Sequence, residues 1–435
     1  MSGIHIKKNT AFFEGHAIEK LVKKYGTPLF LFSEKRIIDN YTSLAKSFEK
    51  YYKNVSIHYS VKTNFEPQIL RTLRRIGAKG EIASSMEFWI AKHAGFKAEE
   101  LVVDGPAWTD EEITTFITQG VGTLNVDSLD LMERVHQIAK KLKKPVRVGY
   151  RIHPEIKIGI LKSFIEDYIS KFGVRVSQGV DAYKKAQSLP YVQLVAISTH
   201  IGSMITDPIY YEKTIDKLVQ LAAKLNNELG IIIEEINIGG GFGVQSLNYY
   251  AIQNIILEKA GVAYYKKAAS IESFGKRITD RYQKKIKQYN LPEIKLILEP
   301  GRFLASDAGI LVTRVVAVKK DWIFLDGGVN LIPESIFFIR RGFIVANKMK
   351  HPKNSIYNIA GPTLNTADIL AVKQQFPKMA VGDTVIILDA GAYSLTRSNQ
   401  FTALRPAALY VTKNSSITYL RKKENISDLL NILLI

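Results

Sequence analysis

Four places in this 435-residue chain could do chemistry, and each one closes a short apolar run. The first is Lys62, which ends Ser56-Ile-His-Tyr-Ser-Val-Lys62. Burying an ammonium is costly and lowers its pKa. A lysine there either snorkels into solvent as the strand exits or is the tuned amine that a Schiff base needs. The second is His200, at the end of Leu194–His200, with Ser203 at the turn beyond it. A lone histidine also suits a satisfied core position. The third is Ile236–Gly243, where Gly239, Gly240, Gly241 and Gly243 follow a strand. Backbone N–H groups there can hold a phosphate, and the alternative is a plain flexible turn. The fourth is Glu299-Pro-Gly-Arg-Phe303, a carboxylate at a strand end with Arg302 three residues on. Glu–Arg pairs at such exits are also ordinary structural ion pairs.

The elements that must position these groups are short β-branched runs. They include Gly80–Ser84, Leu101–Gly105, Thr123–Asp127, Val146–Ile152, Glu234–Ile238 and Lys295–Glu299, and they suit strands buried on both faces of a parallel sheet. Helical stretches such as Glu66–Arg75 and Asp110–Ile117 lie between them. About eight strand–helix units in roughly 270 residues point to a closed (β/α)8 TIM-like barrel. After Arg302 strand-like runs continue, at Gly309–Val318, Trp322–Leu325, Thr384–Leu388 and Ala408–Val411, but turns replace the helices. The expected architecture is therefore α/β: a barrel over 28–300, then an antiparallel all-β domain made of 301–435 together with 1–27.

Composition narrows the function classes. Hydrophobic residues make up 46% and charged residues 23%, as in ordinary globular proteins. The absence of cysteine excludes disulfides, zinc–thiolate sites, iron–sulfur clusters and thiol nucleophiles. No metal site is expected. No apolar run approaches the roughly 18 residues that cross a bilayer, so no membrane association is expected. The start, MSGIHIKKNT, lacks the apolar stretch of a secretion signal, and a cytoplasmic protein is expected. The net charge of +19 invites a nucleic-acid reading. The basic residues are scattered, however, without an interleaved aromatic platform, so a solvated lysine-rich surface or attraction of an anionic small substrate explains them better.

Taken together, a lysine able to form a Schiff base, a histidine, a glycine-rich phosphate loop and a terminal glutamate are what a pyridoxal phosphate site needs. In this order, from Tyr25 to Val411, the chain resembles the fold-III pyridoxal-phosphate decarboxylases, the group of diaminopimelate, ornithine and arginine decarboxylases. The resemblance implies that Lys62 carries the cofactor, that His200 stacks on its ring, and that Ser203 binds its phosphate with the amides of Gly239, Gly240, Gly241 and Gly243. It implies that Glu299 pairs with the pyridine nitrogen, that Gly301 and Arg302 line the site, with Arg302 facing substrate, and that Tyr393 completes the phosphate pocket. It also implies a homodimer with shared active sites and an amino-acid substrate. A racemase of the same plan places an arginine where Glu299 stands, and a non-catalytic regulator of this fold would be expected to lose Lys62 or the glycine loop.

Two segments leave the family pattern. Gly361–Asp368 carries Leu364, Asn365 and Thr366 where diaminopimelate decarboxylases have Cys-Glu-Ser, so Asn365 and Thr366 become the candidate substrate contacts, together with Arg302 and Tyr393. Asn330–Phe337 lacks the arginine that the family places there, although Arg340 and Arg341 follow. Losing a partner for a buried ammonium weakens recognition. The substrate expected on these grounds is an N-acylated diamino acid, such as the N-citrylornithine of carboxylate siderophore biosynthesis, held by Arg302, Arg340, Arg341 or Arg397. Diaminopimelate is the alternative.

Overall fold

The computed structural model describes residues 3–7, 9–157, 171–244, 246, 248–249, 267–337 and 339–433. The chain forms two compact units. One comprises 41–243 and 268–301, the other 1–40, 244–267 and 302–435.

The fully buried strand β1 (Leu29–Ser33) belongs to the second unit and is taken up below. The first unit is built on eight strands: β2 (Val55–Ser60), β3 (Lys79–Ile82), β4 (Leu101–Gly105), β5 (Thr123–Val126), β6 (Val146–His153), β7 (Val192–Ser198), β8 (Glu235–Asn237) and β9 (Lys295–Leu298). Each pairs in parallel with the next, and β9 returns to β2, so the ring is closed. Tyr59, Ile82, Val103, Leu124, Ile197 and Leu296 along these strands are buried, which is why the runs read as continuously apolar rather than alternating. Helices follow the strands, and Ser84, Thr109 and Ser128 start three of them, each accepting a hydrogen bond from a backbone N–H in the first turn. These caps stop the chain within a few residues of each strand end and so hold the rim of the barrel in place.

The second unit is a sheet in the order β13–β12–β11–β10–β1–β15–β16, where β10 is Gly309–Lys319, β11 Trp322–Leu325, β12 Ser355–Ala360, β13 Ile369–Phe376, β15 Ala407–Val411 and β16 Ile417–Arg421. Strand β14 (Thr384–Ile387) also pairs with β10. The β11–β12 and β1–β15 pairings are parallel and the others antiparallel. Leu29, Leu31, Ile310, Val312, Ile386 and Leu409 form its core, with Phe13 and Ile18 from the N-terminal residues.

The boundary expected at residue 28 is displaced. Leu29–Ser33 pairs with β10 and β15 in the sheet rather than with a barrel strand. A buried apolar run of five residues has the same appearance in either sheet, and only its partners decide.

Candidate active site

The C-terminal rim of the barrel collects one polar group from almost every strand. Lys62 leaves β2 on a 3₁₀ turn (Val61–Thr63). Its ammonium donates to both oxygens of Glu81 on β3, at 2.5 and 2.6 Å. Glu81 is buried, whereas the Lys62 side chain is 47% exposed. The lysine is thus neither sunk in apolar surroundings nor simply solvated: a buried carboxylate aims it. Glu299, one residue beyond β9, is buried and accepts from Asn237 Nδ2 at 2.5 Å. Asp104 on β4 accepts from Asn125 Nδ2 at 3.0 Å and from Ser198 Oγ at 3.4 Å. Desolvation pushes the Asp104 and Glu299 carboxyls upward; the charge of Glu81 adds to it at Asp104, and those of Asp104 and then Glu81 add to it at Glu299. Glu87, behind Glu81, is pushed up to about 7 by burial, then by Glu81.

The glycine run is a packed cradle. A Cβ on Gly240 would lie 1.9 Å from the Glu299 carbonyl, and one on Gly241 1.9 Å from the Gly202 carbonyl. On Gly239 it would meet Thr199 O and the His200 ring, and on Gly243, Ile205 O. Gly239 and Gly241 also have positive φ, +71° and +89°. These contacts remove the flexible-turn alternative. Of the four amides expected at a phosphate, two are already donated: Gly239 N to Asn237 Oδ1 at 2.9 Å, and Gly243 N to Ile205 O at 2.8 Å. Among the described residues, Gly240 and Gly241 make no such donation, and their amides are the candidates for an anion. His200 and Ser203 are both exposed beside this loop, so His200 is not a core histidine. Gly301 completes the packing, since a Cβ there would lie 2.0 Å from Thr63 Oγ1.

In the second unit Arg302 is buried. Its two terminal nitrogens donate to both oxygens of Glu334 at 2.8 and 2.6 Å, and the guanidinium lies 4.9 Å from the Tyr393 ring centroid. Both terminal nitrogens of Arg302 are thus engaged by Glu334. Arg341, also buried, donates to Glu334 at 3.3 Å and to the Asp389 carbonyl, and burial lowers its pKa to about 10. Arg397 is exposed, and the side chain of Arg340 lies outside the described residues. In Gly361–Asp368 the buried Asp368 accepts from Thr363 N, Thr363 Oγ1 and Val329 N. That anchor leaves Leu364 90% exposed. Asn365 Oδ1 is occupied by Ala367 N at 2.9 Å, and Thr366 is exposed. Glu81, Asp104, Asn125, Asn237 and Glu334 were missed as site residues from sequence. The first four are polar residues inside otherwise apolar strand runs, and that interruption was the available signal.

A closed parallel barrel followed by a mostly antiparallel sheet, with a lysine, buried carboxyls and a glycine cradle at the barrel rim, is built to hold a cofactor anchored on an amine. Residues 35–306 match the family model described as pyridoxal-dependent decarboxylase, pyridoxal binding domain, and the chain belongs to that family. It is 29% identical to the diaminopimelate decarboxylase of Methanocaldococcus jannaschii over 98% of this chain and 95% of that one. It is likewise 29% identical to that of Aquifex aeolicus, over 95% and 93%. The crystal structure of the M. jannaschii diaminopimelate decarboxylase in complex with L-lysine superposes with a TM-score of 0.88, at 27% identity, covering 100% of this chain and 99% of that one. The two relatives named here are diaminopimelate decarboxylases. The protein is a pyridoxal-phosphate-dependent amino-acid decarboxylase. Its residues fit the cofactor: a cradle that admits no Cβ, two amides that make no hydrogen bond among the described residues, an amine at the rim and an acid at the last strand. When bound, pyridoxal phosphate supplies an electron sink for the pair left as carbon dioxide departs.

Proposed function

We propose that this decarboxylase acts on diaminopimelate, releasing carbon dioxide and leaving lysine. The observation that carries the reading is end-to-end similarity to diaminopimelate decarboxylases, over at least 95% of this chain and 93% of theirs for the two relatives above. In this reading Lys62, aimed by Glu81, would be the anchor for the cofactor and His200 would help hold it. The amides of Gly240 and Gly241, with Ser203 and Tyr393, would bind its phosphate, and Glu299 would keep its ring nitrogen protonated. Gly239, Gly243 and Gly301 act by admitting close backbone packing. Arg302 serves through its pair with Glu334, which shapes the pocket wall rather than binding a free carboxylate. The active unit is a homodimer in which the exposed Leu364 tip, with Asn365 and Thr366, completes the partner's site.

The replacement of Cys-Glu-Ser by Leu364, Asn365 and Thr366 favours a second reading, in which the distal amine is acylated, as in an N-citryl diamino acid. A neutral amide can hydrogen-bond an acyl group but cannot offset a desolvated ammonium. The test is carbon dioxide release from a panel of free and N-acylated diamino acids. Efficient turnover of diaminopimelate with lysine as product supports the first reading. Turnover confined to acylated compounds overturns it in favour of the second.

A further inference from the structure

Tyr393 lies in a loop, residues 389–394, whose backbone is not one that side chains adopt unaided. Asp389 and Tyr393 both have left-handed φ, +56° and +53°. Bulky residues rarely enter that region, and they stay there only where the surroundings enforce it. The first half of the loop packs on the start of β10 and the turn before it. Ala390 N donates to Gly309 O at 2.8 Å and Gly391 N to Ser306 O at 2.9 Å, and a Cβ on Gly391 would lie 1.8 Å from the Ala305 carbonyl. None of these three contacts reaches Tyr393.

Arg341 supplies contacts that span the loop. Only 1% of its side chain is exposed. Its Nη1 donates to the Asp389 carbonyl at the front of the loop, and its Nη2 lies 3.5 Å from Ser394 Oγ at the end. Ser394 Oγ donates onward to Ala392 O at 3.2 Å. Nη2 also reaches Glu334 at 3.3 Å, and Glu334 holds both terminal nitrogens of Arg302, whose guanidinium lies 4.9 Å from the Tyr393 ring centroid. One planar cation thus touches the residue four before Tyr393, the residue just after it and, through Glu334, the cation beside its ring. A compact ammonium lacks the fixed fork that makes this set of contacts together.

We propose that Arg341 is a positioning residue for Tyr393: it pins both ends of the 389–394 loop and so holds the Tyr393 hydroxyl where the cofactor phosphate binds. The proposal rests on the placement of Tyr393 at that phosphate under the proposed function. Arg341 acts through Tyr393, so its effect on cofactor affinity is confined to the phosphate end.

The test compares two ligands of the cofactor-free protein, pyridoxal phosphate and pyridoxal, which lacks the phosphate. Their dissociation constants are measured by absorbance titration in wild type, Tyr393→Phe, Arg341→Gln, Arg341→Lys, and Arg341→Gln combined with Tyr393→Phe. Losing one hydrogen bond to the phosphate in Tyr393→Phe should raise Kd for pyridoxal phosphate about tenfold and leave that for pyridoxal within about twofold. Arg341→Gln should show the same selective loss. Arg341→Lys should show it too, since it keeps the charge facing Glu334 but not the fork. The double variant should lose no more than Tyr393→Phe alone, because both changes remove one interaction. A residue that only supports the fold would weaken both ligands equally or neither. An unchanged ratio of the two constants in folded Arg341 variants, or additive losses in the double variant, therefore overturns the proposal. If Tyr393→Phe itself leaves the ratio unchanged, the placement of Tyr393 at the phosphate fails, and the proposal falls with it. Should neither arginine variant fold, Ser394→Ala decides the matter with every charge left in place. A selective loss of about threefold for pyridoxal phosphate supports the clamp, and an unchanged ratio overturns it.

Discussion

Glu334 determines what two arginines can do. It lies buried between Arg302 and Arg341, accepting three hydrogen bonds from them. Without it two buried guanidiniums would face each other unpaired, so Glu334→Ala should cost about 3–5 kcal/mol in denaturant unfolding. A loss under about 1 kcal/mol would mean that water or another acid takes its place. In the proposed function Lys62 carries the chemistry. Lys62→Ala should abolish both the visible absorption band of the bound cofactor and decarboxylation, since no other amine can replace the one Glu81 aims. A band that survives dialysis in the mutant would place the anchor on another lysine. Nearby, Asp389 shows how burial sets pH behaviour: desolvation raises its carboxyl to about 6. The fold therefore favours the protonated form, and stability falls as pH rises from about 4 through 6. Asp389→Asn, which keeps an acceptor for the Ser246 hydroxyl, should raise the melting temperature above pH 6 and leave it little changed near pH 4.

At the scale of elements, strand β2 carries both the lysine turn and a buried histidine. Burial first, then Lys79, hold the His58 imidazole down at about 3. A histidine with a lowered folded pKa binds fewer protons than in the unfolded chain, so stability is complete above about pH 6.5 and is lost as pH falls toward 3. A shift of that size corresponds to several kcal/mol. Melting curves should show marked acid sensitivity, and His58→Gln should flatten it. An equal slope in the mutant would assign acid denaturation to other groups. The glycine cradle makes a steric prediction. Gly240 has ordinary φ, so Gly240→Ala tests close approach alone; a methyl 1.9 Å from the Glu299 carbonyl should force β8 and β9 apart and eliminate cofactor binding. Strand periodicity was legible in the sequence because barrel strands are apolar on both faces. The allegiance of Leu29–Ser33 was not, since pairing depends on partners nearly three hundred residues away.

At the scale of the whole molecule, the C-terminal helix Ile426–Leu433 contributes no buried residue, and Ile426, Leu430, Ile432 and Leu433 are exposed. Truncation after Glu424 should leave monomer stability within about 0.5 kcal/mol, read by chemical denaturation at low protein concentration. A larger loss would show that the helix is covered in the assembled protein. The proposed homodimer is checked by light scattering on the active enzyme, and a fully active monomer would refute shared active sites. Among the described residues no helix is long and apolar enough to cross a membrane.

The order of chemical groups along the chain, lysine, histidine, glycine run and glutamate, was readable from sequence alone because each sits at the end of an apolar run and barrel enzymes use strand ends. Class of fold and cofactor followed from that order. The partners of those groups were decided only by tertiary structure. Glu81 beside Lys62 and Glu334 across Arg302 are contacts between segments 19 and 32 residues apart. Sequence spacing carries no signal for such pairs, because barrel closure and sheet pairing bring distant strand ends within hydrogen-bond reach, and burial then sets their charge.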